Sequence, residues 1–487
     1  MKHILALDEG TTGSTALVVA ASGDIVGRGY REIPQHFPQP GWVEHEPADL
    51  LTAVRDAARD AIASSGVKPD CIGITNQRET VIVWDRETGA PVGRAIVWQD
   101  RRTAARCAEL APRARDIAQR TGLVTDPYFS ATKLEWILAN REVRDVNRLA
   151  AGTVDSWLIW NLTGGAVHAT DPTNASRTML YDINERAWSA ELCELFGVPR
   201  SMLAEVRPSS GDFGVARAEH FGVPVPILGV AGDQQAALFG QGCVRPGQAK
   251  NTYGTGAFLL LNAGDHRPEP ADGILATVAC GLRGEYAYAV EASIFIAGAA
   301  VQWLRDGLQI VASAKEADQL ARSIETNDGV YFVPALTGIG APHWVPSARG
   351  TIVGLTRGTT RAHLARAAIE AMAYGTADVL TAMRGGATES LDVLRVDGGA
   401  AANDWLMQFQ ADVLGVPVER PASVETTALG AAALAGVSAG VWPDADAFVA
   451  PRGRRRFEPS VSPAARDGHA GWHRAVRAAL SWARDTP

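Results

Sequence analysis

Three short polar clusters, each set against an apolar run, carry the side chains of this 487-residue chain that could do chemistry. The first is Asp8-Glu-Gly-Thr-Thr-Gly-Ser-Thr15, between Ile4-Leu-Ala-Leu7 and Ala16-Leu-Val-Val-Ala20. Its Gly10, Thr11, Thr12 and Gly13 let backbone N–H groups and hydroxyls approach phosphate oxygens closely. Asp8, just before the turn, is placed to hold Mg²⁺ through water. An ordinary hairpin turn would have the same composition. The second cluster, Thr75-Asn-Gln-Arg-Glu-Thr80, follows Cys71-Ile-Gly-Ile74. Its adjacent Arg78 and Glu79 offer guanidinium donors and carboxylate acceptors to a polyhydroxy compound, or else form a surface pair. The third, Gly229-Val-Ala-Gly-Asp-Gln-Gln235, sets Asp233 after an apolar run. There it could accept a proton from a substrate hydroxyl, or cap a helix with help from the dipole.

No G-x-x-x-x-G-K-[ST] loop and no H-R-D/D-F-G pair occurs. If a nucleotide binds, another scaffold must hold it.

The elements that position these clusters follow from periodicity. The two apolar runs flanking the first cluster read as the strands of a β-hairpin. A related pattern returns midway, where Asn251-Thr-Tyr-Gly-Thr-Gly feeds Ala257-Phe-Leu-Leu-Leu261. The echo suggests two related halves that each offer a glycine-rich turn to one cleft; coincidence is the alternative. Leu50, Leu51, Val54, Ala57, Ala58, Ala61 and Ile62 recur at helical spacing, as do Leu364, Ala367, Ala368, Ala371 and Met372. Val393-Leu-Arg-Val396 reads as a strand, followed by Asp397-Gly-Gly399 and a helix from Ala400. That layout holds a nucleotide near a helix N-terminus. The tail from Arg452-Gly-Arg-Arg-Arg-Phe457 onward, charged and bearing prolines, reads as a solvated end.

The length implies two domains, and 46% hydrophobic with 21% charged residues is ordinary for a globular protein. A net charge of −8 provides no basic field to draw in nucleic acid or an anionic membrane. The five cysteines are scattered and form no C-x-x-C pair, which fits free thiols in a reducing compartment. Only four apolar residues precede Asp8, too few for a signal peptide, and no apolar run has the length of a membrane helix. A cytoplasmic protein is expected. Lys2, Lys68, Lys133, Lys250 and Lys315 are the only lysines, a scarcity that reads as codon bias.

Longer stretches carry a resemblance. Gln35-His-Phe-Pro-Gln-Pro-Gly-Trp-Val-Glu44, Ile74-Thr-Asn-Gln-Arg-Glu-Thr80, Ile96-Val-Trp-Gln-Asp-Arg-Arg-Thr103 and Asp126-Pro-Tyr-Phe-Ser-Ala-Thr-Lys133 lie in the first part. Gly152-Thr-Val-Asp-Ser-Trp157, Thr173-Asn-Ala-Ser-Arg-Thr178 and Gly232-Asp-Gln-Gln-Ala-Ala-Leu-Phe-Gly-Gln241 follow. Residues 350–370, Asp397-Gly-Gly-Ala-Ala-Ala-Asn403 and Thr426-Thr-Ala-Leu-Gly430 complete the set. In these stretches the chain resembles the FGGY family of carbohydrate kinases, over almost its whole length.

The resemblance implies an α/β protein with a two-domain actin-like, RNase H-like ATPase fold, each domain a mixed sheet flanked by helices, around a central cleft. It implies domains at 1–242, with the polyol site and first phosphate hairpin, and 243–487, which binds the nucleotide. The implied activity is phosphorylation of glycerol by ATP with magnesium, in a homodimer or homotetramer. Arg78, Glu79, Tyr128, Asp233 and Gln234 would bind glycerol, with Trp98 and Phe258 as the apolar wall. Asp233 would be the general base, and Asp8 and Asp233 the metal residues. Thr11, Thr12 and Gly13 would touch the phosphates with Thr255 facing them, while Gly298, Gln302, Gly399 and Asn403 would hold the rest of the nucleotide. A relative acting on erythritol or xylulose, or a non-catalytic actin-like nucleotide sensor, are the competing readings.

The chain departs from the family pattern at several positions. Glu9, Gly13 and Thr15 stand where Gln, Ser and Arg are usual, and Val345 in Gly340-Ala-Pro-His-Trp-Val-Pro346 replaces an Asp. Gly214-Val-Ala-Arg-Ala-Glu-His-Phe-Gly222 lacks the glycine-rich pattern associated with fructose bisphosphate, and His220 is displaced by one residue from a phosphorylated-histidine context. Indifference to that sugar is expected. Without an arginine at 15, a charge-assisted phosphate contact of about 1.5–3 kcal/mol is missing. Thr15→Arg should therefore lower the nucleotide KM about tenfold or more, with the glycerol KM changed much less. Steady-state kinetics check this, and an unchanged nucleotide KM would count against it.

Overall fold

The computed structural model describes residues 2–143, 145–269, 273–282, 284–385, 391–460 and 463–484. The first part of the chain forms β1 (His3–Glu9), β2 (Gly13–Ala20), β3 (Ile25–Glu32), α1 (Pro47–Ser65), β4 (Cys71–Asn76), β5 (Val215–Ala216), β6 (Val225–Gly232) and α2 (Asp233–Gly240), with further helices and short strands between β4 and β5. The second part forms β7 (Gln248–Tyr253), β8 (Ala257–Gly264), β9 (Leu275–Ala279), β10 (Ala287–Ile294) and α3 (Gly298–Asp306). It continues with α4 (Arg361–Gly385), β11 (Val393–Gly398), α5 (Asp404–Leu414), β12 (Val418–Pro421), α6 (Thr426–Ser438), β13 (Arg454–Phe457) and α7 (Pro463–Arg484).

The first sheet runs β5-β6-β4-β1-β2-β3. β1 and β2 pair antiparallel as the expected hairpin, while β4 runs parallel to both β1 and β6. Because a strand alternates sides, Leu5, Leu7, Ala16 and Val18 pack with Leu50, Val54 and Ala57 of α1 on one face. Ile4, Ala6, Leu17 and Val19 pack with Ala428, Leu429 and Ala432 of α6 on the other. Both faces are covered, so these strands are continuously apolar rather than alternating. The alanine-rich α6 approaches so closely that a Cβ on Gly73 would lie 2.1 Å from the carbonyl oxygen of Ala431. A helix from late in the sequence thus forms part of the first core.

The second sheet runs β9-β10-β8-β7-β11-β12-β13. Here β7 and β8 form an antiparallel hairpin, and β11 lies parallel to β7 as β4 does to β1. This shared wiring supports two related halves over coincidence, in the two-lobed actin-like arrangement with mixed sheets flanked by helices. The helix expected from Leu364 is α4, whose Ala365, Ala368, Ile369 and Met372 enter the second core.

Two expectations change. The helix placed from Ala400 begins at Asp404, because Gly399–Ala402 form a 3₁₀ turn and Asn403 caps α5 through a 3.0 Å bond from the Leu406 N–H. The tail is not a solvated end. β13 extends the second sheet antiparallel to β12, burying Phe457, and α7 buries Trp472, Val476 and Ala479 in the main second core. Its charges misled because three consecutive arginines precede the one buried residue of β13, and arginines line the outer face of an amphipathic α7.

The five cysteines are free, and all but Cys280 are buried. Among the described residues, no helix is long and apolar enough to cross a membrane. Phe457→Ala should cost about 3–5 kcal/mol, read as a lowered urea midpoint with unchanged m. A loss below about 0.5 kcal/mol, the scale of a surface change, would show that the tail does not belong to the core.

Candidate functional site

The C-terminal ends of three parallel strands bring the polar clusters together. In the registers of β1, β4 and β6, Asp8 lies opposite Thr75, and Gly232 opposite Asn76. Asp8, the Arg78–Glu79 pair and Asp233 therefore emerge along one sheet edge. Glu79 holds φ at +63°, uncommon for a non-glycine residue, with the Thr80 N–H bonded to the Arg78 carbonyl at 2.7 Å. The turn directs Glu79 inward, where it is 1% exposed.

Between the halves lies a cavity of about 60 Å³ lined by Thr11, Arg78, Glu79, Trp98, Tyr128, Asp233, Gln234 and Phe258. Phe258 comes from β8, the others from the first half. All seven residues expected to touch polyol stand in this wall. Trp98 Nε1–H donates to Thr11 Oγ1 at 2.8 Å, and its ring meets Tyr128 edge-on at 5.5 Å. Thr11 accepts that bond, which leaves its own O–H free to donate. The same contact pins the apolar wall to the first hairpin.

A buried ionic network lies behind the wall. Arg78 donates to both oxygens of Glu291, from Nη1 at 2.6 Å and Nη2 at 2.9 Å, and to Gln235 at 3.1 Å. Arg177 donates to Glu79 at 2.6 Å and to Glu291 at 3.1 Å. Burial would raise the Glu291 carboxyl, but Arg177 and Arg78 outweigh it and hold it at about 2. Burial pushes Glu79 up despite Arg78 and Arg177, and pushes the Tyr128 phenol up as well. Sequence reasoning missed Glu291 and gave Arg177 no role. Their signal was a lone carboxylate within the apolar strand Tyr288-Ala-Val-Glu-Ala292, and an arginine within a matched stretch.

Asp233 is the first residue of α2, with Gly232 as its N-cap, so the capping alternative does not describe it. Its Oδ1 accepts from Gln234 N–H at 2.7 Å and lies 3.2 Å from Arg78 Nε. Burial raises its pKa, partly offset by Arg78. Lys250, also missed, bonds Gln234 Oε1 and, at 2.9 Å, Thr252 Oγ1; burial lowers its ammonium to about 8. Lys133 donates to the Tyr128 carbonyl at 2.6 Å and is likewise lowered to about 8 by burial. Two of the five lysines are thus buried around one site.

Asp8 is pushed up to about 8, first by burial and then by the charges of Asp233 and Glu425. Carboxylates that repel one another beside a phosphate-type hairpin are the hard-oxygen donor set suited to a divalent cation. Thr15 pairs directly across the hairpin from Asp8 and shares its face. An arginine there would meet both Asp8 and a bound phosphate. Glu9, on the opposite face and fully buried, accepts from Ser14 through Oε2, while its Oε1 has no partner. Burial drives its pKa well above normal, toward the neutral form that would be the closest charge match to the usual glutamine. Val345 bridges to Ile339 through two backbone bonds of 2.9 and 3.0 Å and packs on the second core.

A second cavity of about 660 Å³ is lined in part by Thr255, Gly298, Gln302, Gly399 and Asn403. Every residue expected to hold the body of the nucleotide is in its wall, and its size is that of a ligand site. Thr255 carbonyl accepts from the Ala297 and Ala299 N–H groups at 2.8 and 3.1 Å, fixing the second hairpin to the start of α3. Gly398 has φ +84°, and a Cβ there would lie 2.2 Å from the Tyr253 carbonyl oxygen, so only glycine lets β11 turn under the hairpin. Asn403 spends its side-chain oxygen on the α5 cap, accepting from the Leu406 N–H. Asp8, Thr12 and Gly13 lie outside the walls of both cavities, at the hairpin end.

Known proteins share this architecture. A model of the N-terminal domain of the FGGY family of carbohydrate kinases matches residues 3–240, and one of the C-terminal domain matches 249–439. Glycerol kinase 2 of Thermotoga maritima is 52% identical over 99% of each chain. The glycerol kinase of Chromobacterium violaceum is 53% identical, also over 99% of each. Among solved structures, Plasmodium falciparum glycerol kinase with ADP matches 99% of this chain and 98% of its own, at 35% identity and TM-score 0.94. A xylulose kinase from Rhodospirillum rubrum, 24% identical over 99% of each chain at TM-score 0.87, shares the fold.

Since the folded-state pKa of Glu9 is raised, its contribution is whole below about pH 4.5 and is lost as pH climbs toward the folded value. Glu9→Gln should therefore leave Tm unchanged relative to the parent near pH 4 and raise it near pH 8. The gain should build by at most about 1.4 kcal/mol per pH unit between those limits. A gain that is the same at both pH values would refute a raised pKa for Glu9.

Proposed function

The chain belongs to the FGGY family of carbohydrate kinases, and on that footing we propose that it transfers the terminal phosphoryl group of ATP to a primary hydroxyl of glycerol, giving sn-glycerol 3-phosphate. The observation that carries the reading is the small cavity whose wall sets Asp233 beside Arg78, Glu79, Tyr128 and Gln234, with Trp98 and Phe258 as apolar surface. About 60 Å³ is room for roughly four to six waters, and so for the six heavy atoms of a triol. That size favours glycerol over erythritol or xylulose, and a nucleotide sensor would have no use for a carboxylate facing a polyol cavity.

In this reading, Arg78 Nε, Glu79 and Tyr128 orient the hydroxyls, and the carbons lie against Trp98 and Phe258. Asp233 accepts the proton of the attacking hydroxyl. Its raised pKa makes it a stronger base once ionised, and Arg78 opposes that rise. Thr11, Thr12 and Gly13 of one hairpin and Thr255 of the other cradle the phosphates, while Gly298, Gln302, Gly399 and Asn403 hold the rest of ATP. Asp8 and Asp233 would hold magnesium, which when bound neutralises charge on the phosphates. Phosphoryl transfer asks mainly for such positioning and charge stabilisation. We assign 1–242 to the polyol and first hairpin and 243–487 to the nucleotide, in a cytoplasmic homodimer or homotetramer.

A coupled ADP assay with glycerol, erythritol and xylulose tests this. Asp233→Asn should lower kcat by about 10²- to 10⁴-fold while the nucleotide KM moves less than a few-fold. A variant retaining near-parental turnover, or a parent that prefers either larger substrate, would sink the proposal.

A further inference from the structure

The C-terminal helix carries a cluster that the phosphoryl-transfer site does not use. His469 and His473, four residues apart and so on one face of α7, each place Nε2 at 2.7 Å from the same Oδ1 of Asp378 on α4. The donor atoms of the three residues lie within 4.8 Å of one another. The other oxygen of Asp378 accepts from Trp472 Nε1–H at 2.7 Å, so the carboxylate is oriented from behind. The His469 ring stacks on Tyr374 at 5.7 Å and 5°, which fixes its plane.

We propose that Asp378, His469 and His473 form a divalent transition-metal site, taking zinc by the preference of its donors, with water as fourth ligand. Two imidazoles and a carboxylate are borderline donors that suit Zn²⁺ far better than Mg²⁺ or Ca²⁺. Tetrahedral bonds of about 2.0–2.2 Å separate ligand atoms by roughly 3.3–3.5 Å. The present spacings approach that with shifts on the order of an ångström in side chains that already converge. The tryptophan N–H on the free carboxylate oxygen is the kind of outer contact that orients a metal ligand, and half-exposed His473 leaves the open position to solvent. The ion would tie the last helix to α4, whose Ile369 and Met372 line the larger cavity. The site stands or falls independently of the polyol assignment, because it shares no residue with it.

The test uses the full chain, stripped with EDTA and returned to saturating Mg²⁺ so that hard-oxygen sites are occupied. Calorimetric titration with Zn²⁺ should show one equivalent bound, and Co²⁺ should give the intense visible bands of a tetrahedral site. Zn²⁺ should also raise Tm. His473→Gln, at a half-exposed position, should fold normally by circular dichroism and weaken Zn²⁺ about 100-fold or more, since even outer-contact losses cost about 10- to 100-fold. Equal Zn²⁺ affinity in the parent and His473→Gln would overturn the proposal. So would a weak, octahedral-type Co²⁺ spectrum in the parent, whatever the variant does.

Discussion

Glu291 is the charge on which the site is built. It lies on β10 of the second half and takes guanidinium bonds from Arg78 and Arg177 of the first, at 0% exposure. In a low-dielectric interior, each of these ions would be costly alone and is tolerable only as part of the set. The network therefore fixes several things at once. It joins the halves behind the small cavity, holds Arg78 with its Nε turned to Asp233, and anchors Glu79 through Arg177. Removing one member of such a buried set typically costs about 3–5 kcal/mol, because the remaining charges lose their partners.

In front of that network the carboxylates are unbalanced. Asp8 and Asp233 repel one another, Glu425 adds to the pressure on Asp8, and the raised protonation of both follows from burial more than from charge. Lys250 relieves part of this through its field on Asp233. The free protein thus stores an electrostatic cost where a phosphate with its counter-ion would bind. Glu9, the last residue of β1 before the turn, has its pKa driven up by burial, with the Ser14 bond opposing.

The two sheets repeat one wiring, a hairpin whose first strand pairs parallel with a later strand, and the repeat faces two glycine-rich turns toward the cleft. The halves are nevertheless not sealed units. α6 crosses from the second half of the sequence to cover the first sheet, and Phe258 crosses the other way to complete the small cavity. Similarity to glycerol kinases over essentially whole chains fits this interdependence, since neither half presents a complete site.

What the sequence by itself determined is what local periodicity and short motifs encode. Both hairpins, α1 and α4, the strand before Asp397, the wall of the small cavity and part of that of the larger one were legible, most of them because they depend on neighbours within a few positions or on a matched stretch. The tertiary structure decided the rest. Glu291 meets Arg78 across 213 residues, and no pattern near either one states that pairing. Lys250 looks like an ordinary strand lysine until β7 is set beside α2. The arginine-rich tail reads as soluble because three arginines stand before Phe457, and only the edge of the second sheet shows that Phe457 is core. Local sequence sets the period of an element; which face is buried, and against whose charge, is settled by packing between segments far apart in the chain.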